Sequence, residues 1–306
     1  MPRVGLRFGK VLNSYLFFVF SCVSWALFIL LSCFFVGSSS TLKLSTGIAM
    51  HQPNSPQRNH AWQSTSFANS RGQRLAGLFY ACSAMESALI VCHGFSGSKE
   101  GGGRALRMAE YLARPGMGVL LFDFSGNGES EGSFAETTLS GQMDDLGSAA
   151  DWCWKAGAMR LAGMGRSFGG TTLLCRAAED NRFEAISTWA TPVYPLTLFQ
   201  DFLRELSGDH IILSGEGETI KMKKAFMEDL ASHDVEACAR SIPPRPVLII
   251  HGEQDEVVPP QESEVIRTAT ASSSRLHMIP EADHRFSTGV ETVWELCRSW
   301  LEEFFE

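Results

Sequence analysis

The sequence lacks the cysteine patterns that hold metals or carry out redox chemistry. None of its eight cysteines forms a Cys-x-x-Cys pair, and their positions do not suggest a disulfide framework. We therefore expect no metal site and no redox motif. Scattered thiols of this kind are typically small buried side chains, although a disulfide through Cys82 or Cys238 stays open if the domain lies in an oxidising compartment.

Positive charge is scarce as well. The 34 Asp and Glu residues outnumber the 26 Lys and Arg residues, and the formal net charge is −8. No run of basic residues interleaved with aromatic ones occurs. Nucleic-acid-binding proteins need a basic face that neutralises phosphates, so we expect no nucleic-acid partner. Hydrophobic residues make up 44% of the chain, which is typical of a globular protein that buries a sizeable core.

A long apolar run lies near the N-terminus. After three basic residues, residues 11–37 carry no charge, and residues 15–36 provide 22 consecutive, mostly apolar positions. A helix of that length crosses about 30 Å of hydrocarbon. The apolar stretch of a cleavable signal peptide is shorter, about 7–15 residues. The run therefore favours a membrane-spanning anchor.

We interpret residues 1–37 as a signal-anchor of a single-pass membrane protein, with the bulk of the chain on the non-cytoplasmic side because the basic flank stays in the cytoplasm. Two alternatives stay open: a cleaved signal peptide, which would give a secreted protein, and a spurious upstream start with Met50 as the true one. Residues 38–61, rich in Ser, Asn, Gln, Pro and His, predict a flexible linker. The folded domain is expected over residues 62–306.

In that domain, short apolar runs alternate with helical patterns. Strand-like runs occur around residues 88–92, 118–124, 185–190, 246–250 and 275–279, and another begins near Met159. This alternation predicts a mostly parallel sheet covered by helices on both faces, which is an α/β fold. Chemistry in such sheets lies at the carboxyl ends of the strands. Residues 192–243 break the pattern with mixed helical patches, and we predict that they form a lid.

Two segments carry the pattern Gly-x-Ser-x-Gly, which is weak evidence by itself. Ser167 follows the apolar run near Met159 and precedes a small-residue helix start, the strand–turn–helix context that exposes a nucleophile. Ser130 lies between two glutamates, whose negative charges oppose an alkoxide or oxyanion nearby. We therefore predict Ser167, and not Ser130, as the nucleophile.

A nucleophilic serine needs a general base, and the base needs an orienting acid. His284 follows the last predicted strand and Asp255 follows the one before it, so both should lie at the same sheet edge as Ser167. Their order along the chain, Ser167, Asp255, His284, is that of an α/β-hydrolase. His93 and His251 also follow or end predicted strands, and we interpret them as packing or local hydrogen-bonding residues.

Five motifs extend this pattern over the domain: HGFSG at 93–97, DFSGNGESEG at 123–132, GRSFGG at 165–170, HGEQDEVVP at 251–259 and EADHRF at 281–286. With them the domain resembles the α/β-hydrolase fold serine hydrolases, in the branch of esterases, monoacylglycerol-lipase-like enzymes and serine aminopeptidase-like hydrolases. The resemblance implies a mostly parallel, eight-stranded-type sheet with helices on both faces and a short lid insertion. It covers neither the N-terminal segment nor the lid.

The resemblance also implies roles for particular residues. Ser167 would be the nucleophile, His284 the base and Asp255 the orienting acid. The backbone N–H groups of Phe95 and Phe168 would form the oxyanion hole, at about 3–4 kcal/mol of transition-state stabilisation per donor. The expected reaction is acyl transfer to Ser167 and then to water, without a metal or an organic cofactor.

The expected substrate is a carboxylic ester, either a small molecule or a lipid acyl ester. One alternative is a serine aminopeptidase or amidase, which would need a lid carboxylate for the substrate's amino group; the acidic residues available there are Glu205, Asp209, Glu216 and Glu218. An alternative of another class is a non-catalytic protein that binds ligands with the same fold. The sequence also leaves open whether Arg166 pairs with an acid or faces an anionic substrate.

The anchor interpretation predicts how the protein fractionates. If residues 1–37 span a membrane, carbonate extraction should leave the full-length chain in the pellet, because the apolar helix stays in the bilayer. Release of a shortened chain with a new N-terminus near Gly37 would contradict a retained anchor and indicate signal cleavage.

Overall fold

The computed structural model describes residues 61–81, 85–215 and 218–305. The predicted signal-anchor at residues 1–37 lies outside this part, and so does the predicted linker at 38–61 except for its last residue. Within the part described, no helix combines the length and the apolar character that crossing a membrane requires.

The order of strands and helices follows the alternation predicted from the sequence. The strands are β1 (Ala61–Ala68), β2 (Arg74–Ala81), β3 (Ser87–Cys92), β4 (Met117–Phe122), β5 (Arg160–Arg166), β6 (Phe183–Trp189), β7 (Leu203–Ser207), β8 (His210–Gly215), β9 (Glu218–Lys223), β10 (Val247–Gly252) and β11 (Ser274–Ile279). The helices are α1 (Arg104–Leu112), α2 (Leu139–Lys155), α3 (Phe168–Glu179), α4 (Pro195–Phe202), α5 (Ala225–Ala231), α6 (Val235–Arg240), α7 (Gln261–Thr270) and α8 (Val290–Phe305).

Eight of these strands form one sheet, in the order β1-β2-β4-β3-β5-β6-β10-β11. Strand β2 runs antiparallel to both of its neighbours, and the other five pairings are parallel. The predicted α/β-hydrolase fold with a mostly parallel eight-stranded sheet is confirmed. This topology matters for function because the carboxyl ends of β3, β5, β10 and β11 all lie at one edge of the sheet, so residues that follow these strands can come together there.

The central strands are apolar throughout because both faces of the sheet are covered. Leu89 and Ile90 are adjacent in β3 and point to opposite faces, and both are fully buried. Leu89 packs in a layer with Met108 of α1 and Val293 of α8. Ile90 packs in the other layer, which includes Leu173 of α3. A continuous apolar run is therefore what a strand in this position requires.

The segment between β6 and β10 differs from the sequence prediction of mixed helical patches for residues 192–243. Strands β7, β8 and β9 form a separate antiparallel sheet between α4 and α5. Burial alternates in β8 as expected for a strand with one face on the core, since Ile211 and Leu213 are buried and Ile212 between them is only partly buried. Helix α6 packs against α3 and α7, so this last part of the range belongs to the helical layer of the domain.

Polar contacts attach the lid, here defined as α4 to α5, to the rest of the domain. At its start, the Glu262 carboxylate accepts hydrogen bonds from the N–H groups of Val193 at 2.6 Å and Tyr194 at 3.0 Å. At α5, Asp229 accepts from the N–H and the hydroxyl of Ser140, at 3.0 and 2.6 Å. These contacts fix the position of the lid over the sheet edge.

The packing of β3 predicts that substitution of a core leucine lowers the free energy of unfolding far more than substitution of an exposed leucine elsewhere. Leu89→Ala should lower the free energy of unfolding by about 2–5 kcal/mol, because it leaves a cavity at a fully buried position. The control Leu206→Ala, at a position that is 64% exposed, should change it by less than about 0.5 kcal/mol. Urea unfolding followed by circular dichroism measures both, and equal losses would contradict the assignment of Leu89 to the core.

Candidate active site

Ser167 lies on a strained turn between β5 and α3. Its φ of 53° and ψ of −128° are rare for a residue other than glycine and are typical of functional turns. The glycines of the motif are required by close packing. A Cβ at Gly169 would lie 2.3 Å from the carbonyl oxygen of His93, and one at Gly165 would lie 2.5 Å from the carbonyl oxygen of Gly169. The turn therefore sits directly against the end of β3.

The structure brings the three predicted residues of the triad together. His284 Nε2 lies 3.0 Å from Ser167 Oγ, and His284 Nδ1 lies 2.8 Å from Asp255 Oδ2. Asp255 follows β10 and His284 follows β11, which are neighbouring parallel strands. Because Nδ1–H donates to the carboxylate, Nε2 accepts from the serine hydroxyl, which is the arrangement for general-base catalysis.

The carboxylate of Asp255 is buried and surrounded by donors. Oδ1 accepts from the N–H groups of Val257 at 2.9 Å and Val258 at 2.8 Å. Oδ2 lies 3.0 Å from His251 Nε2 as well as contacting His284. Burial raises the pKa of Asp255, but the hydrogen bonds from His251 and His284 outweigh this and hold the pKa well below its usual range. The carboxylate is therefore ionised at neutral pH.

His251 makes the local hydrogen bonds predicted from the sequence, and one of them is to the predicted acid of the triad. It was interpreted as a packing or local hydrogen-bonding residue, and it does lie 3.1 Å from the carbonyl oxygen of Val258 through Nε2. The same nitrogen contacts Asp255 Oδ2, the oxygen that His284 also contacts, so His251 supports the predicted acid of the triad. No signal in the sequence separates it from His93, because both follow or end a buried strand.

His93 stabilises the loop that follows β3. Its Nε2 accepts a hydrogen bond from the N–H of Phe124 at 3.2 Å, so Nδ1 carries the proton and donates to the carbonyl of Gly94 at 2.8 Å. Burial lowers the pKa of His93, which keeps the ring neutral. His93 is thus a structural residue that orders the backbone of residues 93–97.

The second Gly-x-Ser-x-Gly motif is structural too. Ser130 Oγ donates to the carbonyl of Asp123 at 2.6 Å and accepts from the N–H of Ala76 at 2.8 Å. The Asp123 carboxylate accepts from Lys99 N at 2.7 Å, from Lys99 Nζ at 2.8 Å and from the N–H of Glu129 at 2.9 Å. These contacts tie the glycine-rich loop to the loop after β3.

Phe95 and Phe168, the predicted oxyanion-hole residues, flank the Ser167 turn. Phe168 is the first residue of α3, where backbone N–H groups have no partner inside the helix. Phe95 lies in the loop after β3, and a Cβ at the preceding Gly94 would be 3.3 Å from Ser167 Cβ. The two rings meet edge to face, with centroids 6.0 Å apart. Their role in binding an oxyanion stays a prediction.

A cavity of about 560 Å³ lies over Ser167 and His284. On the lid side its wall is apolar and includes Phe199, Phe202 and Leu213. The ring of Phe199 packs on Phe95, with centroids 4.7 Å apart. A substrate at Ser167 would therefore contact an aromatic surface shared by the lid and the predicted oxyanion loop.

The charged residues in the cavity wall are all arginines: Arg104, Arg166 and Arg285. In the described ranges no Asp or Glu lines the cavity, and Glu205 and Asp209 of the lid are exposed. For Arg166, left undecided by the sequence, the structure gives a hydrogen bond to the carbonyl of His284 at 3.4 Å. Across residues 61–81, 85–215 and 218–305, no cluster of His, Cys, Asp or Glu could hold a metal ion.

Comparison with known protein families gives one match, to the model described as the prolyl oligopeptidase family, over residues 106–305. The matched range includes Ser167, Asp255 and His284. It begins after Phe95, so the loop that follows β3 is not part of the match.

Similar proteins occur in several bacteria. YfhR of Escherichia coli strain K12 is 26% identical over 230 residues, which is 72% of this chain and 73% of that protein. YfhR of Salmonella typhimurium is 26% identical over 185 residues, and the chain spans 58% of that protein's length. The putative esterase YitV of Bacillus subtilis is 27% identical over 183 residues, 56% of this chain and 69% of that protein.

Solved structures share the fold. Est1E from Butyrivibrio proteoclasticus, in complex with ferulic acid, superposes with a TM-score of 0.69 at 24% identity, over 78% of this chain and 98% of that one. The esterase domain of a Rhodothermus marinus protein superposes with a TM-score of 0.63 at 24% identity, over 78% of this chain and 97% of that one. At 24% identity, the similarity to these two structures supports a shared fold.

The environment of Asp255 predicts a pH-dependent contribution to stability. Its pKa is lower in the folded protein than in the unfolded chain, where it is about 3.9. The ionised carboxylate therefore stabilises the fold above pH 4, and this contribution is lost as the pH falls through the folded pKa. Asp255→Asn should lower the free energy of unfolding at pH 7 by about 1.5–3 kcal/mol, with a gap to wild type that narrows below about pH 4.

Denaturant unfolding between pH 7 and pH 3 measures this gap. Asp201→Asn, which removes an exposed carboxylate on the lid, controls for the change in net charge. A gap that stays constant over the whole pH range would contradict the proposed environment of Asp255.

Proposed function

The chain belongs to the prolyl oligopeptidase family and is a hydrolase with the α/β-hydrolase fold, and we propose that it cleaves carboxylic esters through an acyl-enzyme on Ser167. One observation carries the proposal. Ser167 Oγ, His284 and Asp255 form a continuous hydrogen-bonded relay, with distances of 3.0 and 2.8 Å, at the floor of a cavity large enough for a small ester.

In the first half of the proposed reaction, Ser167 Oγ attacks the ester carbonyl while His284 Nε2 takes its proton. The oxygen of the tetrahedral intermediate accepts hydrogen bonds from the N–H groups of Phe95 and Phe168. The intermediate collapses, the bond to the alcohol breaks, and His284 returns the proton to the leaving alcohol. Asp255, ionised and hydrogen-bonded to Nδ1, stabilises the imidazolium that exists between these steps.

In the second half, a water molecule enters the site after the alcohol has left. His284 takes a proton from the water as its oxygen attacks the acyl-enzyme, and the same N–H groups stabilise the second tetrahedral intermediate. Collapse breaks the bond to Ser167 Oγ, which regains its proton from His284. The product acid leaves and the enzyme returns to its starting state.

The lining of the cavity supports esters over peptides with a free amino group. An aminopeptidase needs a carboxylate to bind the substrate's ammonium group, and in the described residues none lines the cavity. The apolar wall around Phe199 and Leu213 supports a hydrophobic acyl or alcohol group. A membrane anchor at residues 1–37 would place the enzyme near lipid esters. An amidase or peptidase activity is the second candidate, because the family match is to prolyl oligopeptidases.

A non-catalytic binding role is the alternative of another class. The backbone of Ser167 is strained, and such strain usually persists where it serves a mechanism. All three side chains of the relay are also present and connected. Both observations support catalysis.

Labelling with a fluorophosphonate probe tests the nucleophile. We expect the wild-type protein to be labelled and Ser167→Ala not to be, because the probe reacts with an activated serine. Ser130→Ala is the matched control, since it changes the serine of the other Gly-x-Ser-x-Gly motif, whose hydroxyl is bonded to backbone groups, and it should remain labelled. Equal labelling of wild type and Ser167→Ala would remove Ser167 from the mechanism.

Activity assays then separate the two candidate bond types. We expect hydrolysis of 4-nitrophenyl hexanoate by the wild type to fall by at least about 10³-fold in Ser167→Ala. Amino-acid 4-nitroanilides should be poor substrates. Faster cleavage of an anilide than of the ester would favour the peptidase alternative, and no turnover of either by a labelled protein would favour other leaving groups.

A further inference from the structure

The cavity wall carries positive charge in addition to its apolar residues. Its charged members are Arg104, Arg166 and Arg285, and no carboxylate among the described residues lines it. The acid nearest the site, Asp255, is buried behind His284 and is occupied by hydrogen bonds from His251 and His284. A substrate in the cavity therefore meets arginine side chains, and no described Asp or Glu belongs to the same lining.

Arg104 is the clearest of these groups. It is the first residue of α1 and is half-buried. Its guanidinium donates to two backbone carbonyls, those of Arg285 at 3.0 Å and Phe286 at 2.7 Å. Carbonyl groups orient the guanidinium but do not neutralise its charge, and a guanidinium has five N–H donors. Donors remain for a ligand, and the bonds already made hold the group in a fixed orientation.

The start of α1 holds the backbone of Arg104 in place. The first turn of α1 contains no acidic residue, and the backbone N–H groups of Arg104 and Ala105 donate to the carbonyls of Gly101 and Glu100. The preceding Gly101 also lines the cavity. The Arg104 side chain is therefore the group at the start of α1 that can bind an anion.

From this arrangement we propose that the enzyme selects esters that carry a carboxylate in addition to the ester group, with Arg104 as a specificity-determining residue. This proposal rests on the ester hydrolysis proposed above. The carboxylate accepts charge-assisted hydrogen bonds from Arg104, while the apolar part of the substrate packs against the Phe199 side of the cavity. The substrate class is an amphiphilic anionic ester.

Two matched substrate pairs test the selectivity with the full-length protein. Mono-4-nitrophenyl adipate against 4-nitrophenyl hexanoate places the carboxylate on the acyl side, and 4-acetoxybenzoate against its methyl ester places it on the alcohol side. In at least one pair, kcat/KM for the anionic member should exceed that of the neutral member by about tenfold or more at low salt. The advantage should shrink at high ionic strength, because the interaction is electrostatic.

Substitutions of Arg104 test whether it selects anionic substrates or only holds the backbone after His284 in place. Arg104→Gln should reduce the anionic-to-neutral ratio about tenfold, and Arg104→Lys should keep part of it, because lysine retains the charge without the planar fork. Arg107→Gln, on the exposed face of the same helix, should leave the ratio unchanged. If Arg104 only holds the backbone after His284, both members of a pair would lose activity equally, and that result would overturn the proposal.

A measurement on the wild type covers the case in which Arg104→Gln does not fold. Adipate should inhibit hydrolysis of the neutral ester competitively at lower concentration than a neutral diamide of the same length. Hydrolysis of the neutral ester with no anionic preference in either pair, and no such inhibition, would overturn the proposal while leaving ester hydrolysis intact. Absence of hydrolysis of all four esters would instead overturn the function on which it rests.

Discussion

The hydrogen bond between Asp255 and His284 is the interaction on which the candidate site depends. It joins the ends of two neighbouring parallel strands and fixes which imidazole nitrogen faces Ser167. A buried carboxylate is costly unless donors surround it, and here two backbone N–H groups and the ring of His251 complete its shell. Because Asp255 is buried, its carboxylate needs these donors. The same donors keep the carboxylate ionised.

The rest of the domain supplies a fixed frame for that relay. Asp123 and His93 hold the loop that contains Phe95, and close contacts of Gly169 hold the Ser167 turn against the same loop. The lid closes the other side with aromatic packing on Phe95. The result is a cavity that combines apolar residues of the lid with arginines from α1 and the active-site loops, and this combination defines the proposed substrate class.

Much of this arrangement could be predicted from local sequence. Ser167 was distinguishable from Ser130 because its flanking residues encode a strand, a turn and a helix, whereas two glutamates flank Ser130. The central strands were recognisable because burial on both faces demands unbroken apolar runs. The lid was harder: β7, β8 and β9 are short, and the apolar run at residues 211–213 in β8 does not distinguish a strand from part of a buried helix. Predicted lid residues in α6 instead pack with α3 and α7.

The sequence by itself determined the fold class, the order of the triad residues and the strand ends at which they lie, because periodicity and turn residues are local properties. Only the tertiary structure decided which side chains surround that triad. Arg104 reaches carbonyls 181 and 182 residues further along the chain, and Phe199 of the lid packs on the ring of Phe95. Such contacts depend on how strands and loops assemble in space, and no local pattern of residue types encodes them.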